Sequence, residues 1–95
     1  MTHYIALIHK EPGSVYGVSF PDVPGVTAAA DSIDEAMERA REVLAFAAED
    51  WRDLRHEDFP GSRTIDDIRE DPELADDLAD AIIAAIPMRA MADAA

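Results

Sequence analysis

Apolar residues first fall in short strand-length runs bounded by Pro and Gly and later recur at three- and four-residue steps, so a strand-forming front third gives way to a helical stretch. HYIALIHK (3–10) reads as a strand with Ile5 and Leu7 on one face and Tyr4, Ala6 and Ile8 on the other. EPGS (11–14) reads as a turn, because Pro12 presets φ and Gly13 accepts a positive φ. VYGVSF (15–20) returns as a second strand, with Tyr16, Val18 and Phe20 alternating against Val15, Gly17 and Ser19. PDVPG (21–25) bends the chain, and VTAAA (26–30) is a weaker third strand, alanine being a poor strand former. The first strand is apolar on both faces. One helix covers one of them; the other meets a second subunit or partner, or is wrapped by later segments of the chain.

The helical period begins at SIDE (32–35), which fits a capping box of Ser32 with Glu35. Ile33, Ala36, Met37, Ala40, Val43, Leu44, Ala47, Trp51 and Leu54 then form one apolar stripe. Asp34, Glu35 and Glu38 lie near the helix N-terminus, and Arg52 and Arg55 near its C-terminus, as the dipole favours. The helix is expected to stop near His56. TIDDIRED (64–71) reads as a short helix with Thr64 and Asp67 as a second capping box, and Pro72 suits the first position of another. LADAIIAAIPM (78–88) fits either helix or buried strand; its composition leans to helix, continuous from Pro72 to Ile86 in that case. The order is that of an α+β domain.

Ninety-five residues make one domain with a small core. The charge then changes the picture. Twenty-one acids face eight basic residues, a net of −13, and 18 of the acids fall within residues 31–80. Such a chain repels phosphate backbones and anionic membranes, so direct nucleic-acid or membrane binding is not expected. The charge either attracts a basic protein partner or simply keeps the domain soluble. No cysteine is present, and no apolar run is long enough to span a bilayer, so the expected location is cytoplasmic.

Candidate chemistry is sparse. His3 and His9 share a strand face but stand about 20 Å apart, too far for one metal. His56 lies at a helix end. Asp22 and Asp31 sit at strand ends, where carboxylates hold magnesium in nucleases of the ribonuclease H type. The stronger reading of Asp22 is structural: it caps backbone amides in a bend fixed by Pro21, Pro24 and Gly25. There is no phosphate-binding glycine loop, no nucleophile–histidine–acid arrangement and no EF-hand loop. No enzyme, catalytic residue, metal or cofactor is expected.

YGVSFPDVPGVTAAADSIDEAMERAREVLA (16–45) resembles the HicB-like antitoxin family. The residues that carry the resemblance are Phe20, Pro21, Asp22, Pro24, Gly25, Asp31, Glu35 and Ala36. A second block, TIDDIREDPELADDLADAIIAAIPM, looks similar as well. Ala30 stands where relatives usually have glycine, and Val26 where they often have cysteine. The resemblance implies a β-β-β-α-(short α)-β domain over residues 1–90, partial ribonuclease H-like, with a small antiparallel or mixed sheet on one long helix. It assigns residues 81–88 to a strand and leaves 91–95 as a disordered tail. It makes Phe20, Pro21, Asp22, Pro24, Gly25, Asp31 and Glu35 a structural motif, and leaves the partner-binding residues unknown.

The resemblance also implies a non-catalytic antitoxin that neutralises a small basic messenger-RNA-cleaving toxin of the HicA type. The acidic faces and an exposed sheet edge would meet that toxin and cover its RNA-binding surface. A homo-oligomer, dimer or tetramer, is implied too. The chain runs about six residues past the last strand, so the DNA-binding module of many relatives is not expected. The alternative is an orphan homo-oligomeric scaffold domain without a toxin partner.

Overall fold

The computed structural model describes residues 2–55 and 59–88. β1 (His3–Lys10), β2 (Tyr16–Ser19) and β3 (Thr27–Ala30) come first, followed by α1 (Ile33–Arg55). Then come α2 (Ile65–Glu70), a 3₁₀ turn (Pro72–Leu74), α3 (Ala75–Ala79) and β4 (Ile82–Pro87). Among the described residues the strands form one antiparallel sheet in the order β3-β2-β1-β4. The first hairpin closes as its sequence demands. Ser14 N–H donates to the Glu11 carbonyl at 3.0 Å, and Gly13 takes a φ of +77°.

β1 is central, and its two apolar faces build two core layers. Tyr4, Ala6 and Ile8 pack with Val18, Phe20, Val23 and Ile86 beneath α1. The helix approaches closely because Ala36 and Ala40 are fully buried beside Leu44. The alanines of β3 belong to the same contact. Ala28 and Ala30 turn towards α1, where small side chains let helix and strand meet. Ile33 departs from the apolar stripe and is 37% exposed. Ser32 caps α1 by accepting from the Glu35 N–H at 3.2 Å, while the Glu35 carboxylate lies 3.9 Å from Arg39. His56, the expected end of the helix, lies outside the described residues, as do residues 91–95.

On the opposite face, Ile5 and Leu7 pack with Ile68 of α2, and Ile65, Leu74, Leu78 and Ile83 surround them. Later segments of the same chain therefore cover this face. Thr64 Oγ1 accepts from the Asp67 N–H at 3.2 Å and starts α2; Asp71 Oδ1 accepts from the Glu73 N–H at 2.9 Å and starts the 3₁₀ turn at Pro72.

The helical lean of residues 78–88 is overturned. α3 ends at Ala79, the Ala81 N–H bonds back to the Leu78 carbonyl, and Ile82–Pro87 pair with β1 from Ile8 back to His3. A helix over these residues would leave the open side of β1 unpaired and Ile86 without its core position. The strand assignment implied by the resemblance is the one observed.

Candidate functional site

The PDVPG bend consists of two successive turns that share Val23. The Val23 N–H donates to the Phe20 carbonyl at 3.1 Å, and the Val26 N–H to the Val23 carbonyl at 3.2 Å. Each turn has proline at its second position. Gly25 holds the third position of the second turn at φ +89°, which side chains strongly disfavour. Phe20 and Val23 are thereby driven into the core. Asp22, the third residue of the first turn, does cap a backbone amide, but that of Arg63, 41 positions on, rather than one within the bend as expected from the sequence.

The Asp22 side chain is only 6% exposed and reaches across the chain. Its Oδ2 accepts from the Arg63 backbone N–H at 2.7 Å, and its Oδ1 from Arg63 Nε at 2.5 Å. Arg63 Nη1 also donates to Asp71 Oδ2 at 3.0 Å. One guanidinium thus ties the bend after β2 to the start of the 3₁₀ turn. The hydrogen bond to Asp22, then that to Asp71, raises the Arg63 pKa above its ordinary value. The bond from Arg63, then the Glu73 N–H, lowers that of Asp71. Nearby, the Tyr4 hydroxyl donates to the Pro60 carbonyl at 2.5 Å, and burial followed by the Asp22 charge raises its pKa. Phe59 stands edge-on between the rings of Tyr4 and Trp51, 5.5 and 5.7 Å away.

Asp22 has both carboxylate oxygens engaged by Arg63, so it serves the positively charged guanidinium rather than an open ligand position. Asp31 is exposed at the start of the α1 cap, and Glu35 is exposed one turn from Arg39. Pro21 is half-buried, while Pro24 and Gly25 are exposed at the tip of the bend. The motif residues therefore lie along one strand–bend–strand–helix path but do not converge on a cleft. No group of three His, Cys, Asp or Glu side chains among the described residues is placed to hold a metal. Arg63 is the residue the sequence reading missed. Its only local signal is a cation immediately before the Thr64 cap, and its partner Asp22 stands 41 positions away.

The surface features that remain are faces. The outer side of α1 carries Glu35, Glu38, Glu42, Asp50 and Asp53, all exposed, with Phe46 63% exposed among them. His9 Nε2 lies 2.8 Å from the Asp77 carbonyl and joins β1 to α3. Among the described residues no helix is long and apolar enough to cross a membrane.

Comparison with known proteins places these features in a family context. The family described as HicB_like antitoxin of bacterial toxin-antitoxin system matches residues 4–94. The crystal structure of the Burkholderia pseudomallei antitoxin HicB is 31% identical with a TM-score of 0.78. The match covers 93% of this chain and 64% of that one. The N-terminal domain of the same antitoxin, 30% identical with a TM-score of 0.75, is covered over 99% of its length. The fold is shared with a HicA3 and HicB3 toxin-antitoxin complex at 19% identity and a TM-score of 0.72. An uncharacterised 14.9 kDa protein of Haemophilus phage HP1 is 39% identical over 61 residues, 64% of this chain. The chain spans just under half the length of that phage protein.

Proposed function

The chain belongs to the HicB-like antitoxin family of bacterial toxin–antitoxin systems, and from that premise we propose that it binds and neutralises a small basic messenger-RNA-cleaving toxin of the HicA type. The observation that carries the reading is the agreement of sequence family and three-dimensional fold over nearly the whole chain. The net charge of −13 supports it, because a basic protein is steered towards an acidic one and oriented by its charged faces. The outer face of α1 is the surface offered: its exposed acids attract cations, and Phe46 supplies one large apolar contact among them. By occupying the toxin's RNA-binding surface, the domain inhibits without chemistry of its own. Its role is non-catalytic, and its compartment is the cytoplasm, where such a toxin meets its RNA.

Co-expression with the small basic reading frame adjacent in the genome tests this. The expected result is that the neighbour arrests growth alone, copurifies with this chain, and ceases to arrest growth in its presence. A neighbour that is harmless, or that does not bind, overturns the toxin reading and favours a self-associating domain without a toxin.

A further inference from the structure

Residues 62–79, SRTIDDIREDPELADDLA, fold into pieces of six, three and five residues. Helices this short do not hold in water without a surface to dock on. Among the described residues no backbone hydrogen bond joins this segment to the sheet or to α1. Of residues 62–79 only Ile68 is fully buried, while Ile65, Leu74 and Leu78 are half-buried around it. The remainder of the domain is built differently. The sheet has continuous ladders, and Val18, Phe20, Leu44 and Ile86 fill a separate core beneath α1.

Side chains therefore hold the segment down, and they do so at three points. At its start, the Arg63 N–H donates to Asp22 Oδ2 at 2.7 Å and its guanidinium to Asp22 Oδ1. In the middle, Ile68 fills the space over Ile5 and Leu7. At its end, His9 Nε2 sits 2.8 Å from the Asp77 carbonyl. The Arg63–Asp71 pair binds the segment to itself rather than to the sheet. The chain before the segment is anchored elsewhere. Phe59 packs on the α1 core between Tyr4 and Trp51, and the Tyr4 hydroxyl donates to the Pro60 carbonyl. Gly61 follows, exposed, and even an added Cβ there meets nothing within 4 Å.

We propose that residues 62–79 are a hinged cover, which lifts from the Ile5–Leu7 face as one unit and melts as it lifts. Arg63 and His9 are its two clasps, Ile68 is its key, and Gly61 is the hinge on the anchored side. β4 stays paired with β1, and α1 stays on its own core, so the body outlasts the opening. Lifting uncovers Ile5, Leu7 and Ile83, an apolar surface of the sheet that the closed form conceals. The device is independent of the toxin reading, because the outer face of α1 belongs to the body and is the same in both forms.

Native-state amide exchange of the purified full chain at increasing urea tests the proposal, with Trp51 emission as the report on the body. The amides of Ile68 and Leu74, bonded to Thr64 and Asp71 within the cover, are expected to share one opening free energy and one urea slope. Both are smaller than those of Ala6 and Leu7 on the central strand. Arg63→Gln and His9→Ala touch neither amide, yet each speeds exchange at both by a common factor, about 10-fold for Arg63→Gln and roughly 5-fold for His9→Ala. Ile68→Ala speeds exchange at Leu74 on the order of 100-fold while Trp51 emission stays native. Cover amides with the same free energy and urea slope as Ala6 and Leu7 overturn the proposal, since nothing then opens apart from the whole chain. So do Ile68 and Leu74 amides that respond to the clasp variants separately, or that exchange without any urea dependence.

Discussion

Asp22 shows what one side chain contributes. Its carboxylate accepts from both the backbone and the guanidinium of Arg63, and the side chain is nearly buried. Asp22→Ala strands the Arg63 donors and is expected to lower stability by about 2 kcal/mol, the value for charge-assisted bonds with a partner that is itself partly solvated. A urea-unfolding midpoint measures it. The same carboxylate offers a test of chemistry. Wild-type protein incubated with labelled RNA and magnesium is expected to cleave nothing above background; cleavage that Asp22→Asn abolishes would restore the nuclease reading. Asp71 supplies a pH dependence. Arg63 holds its pKa below the ordinary carboxylate value, so folded protein binds fewer protons there than unfolded protein. Its contribution is complete above about pH 4 and lost as pH falls through the lowered folded value. Arg63→Gln is expected to flatten the fall in stability as pH drops below about 4, seen as a smaller pH dependence of the urea midpoint.

At the scale of elements, α2 is held by its cap and by an apolar layer in which Ile68, Ile65, Leu74 and Leu78 pack on the Ile5–Leu7 face. Thr64→Ala removes the side-chain acceptor of the Asp67 N–H and is expected to cost about 1 kcal/mol. Ile68→Ala acts differently, because Ile68 is fully buried between α2 and the Ile5–Leu7 face. It is expected to cost roughly 3 kcal/mol and to increase binding of a hydrophobic dye, since the second face of the sheet opens. β1 to β3 and α1 were legible because turns with Pro and Gly at the required positions bound the strands and the helix has one regular apolar stripe. The covering of Ile5 and Leu7 was not, because a strand apolar on both faces says that something covers each face without saying what. Residues 78–88 were ambiguous by composition, since a short alanine–isoleucine run packs acceptably as helix or strand. The open hydrogen-bonding side of β1 decided between them.

At the scale of the whole molecule, the acids concentrated in residues 31–80 give the domain a field that short-range packing does not use. Association with a basic toxin is therefore expected to slow steeply between low and physiological salt, with the dissociation rate changing less. Stopped-flow measurements at several salt concentrations check this. Replacing Glu38 and Glu42 by glutamine is expected to weaken that salt dependence without altering the unfolding midpoint, because both side chains are exposed.

The sequence by itself determined the local geometry: short apolar runs between turn residues for β1 to β3, one apolar stripe for α1, proline and glycine for the bends, and an acidic balance unfit for phosphate. Each is set by neighbours within a few positions, so a linear reading reaches it. The PDVPG pattern carried the family resemblance as well. Only the tertiary structure decided that Asp22 meets Arg63, that α2 and α3 close the second face, and that β4 pairs with β1. Those outcomes depend on partners 41 residues away or on the open side of a distant strand, and no short-range pattern encodes either.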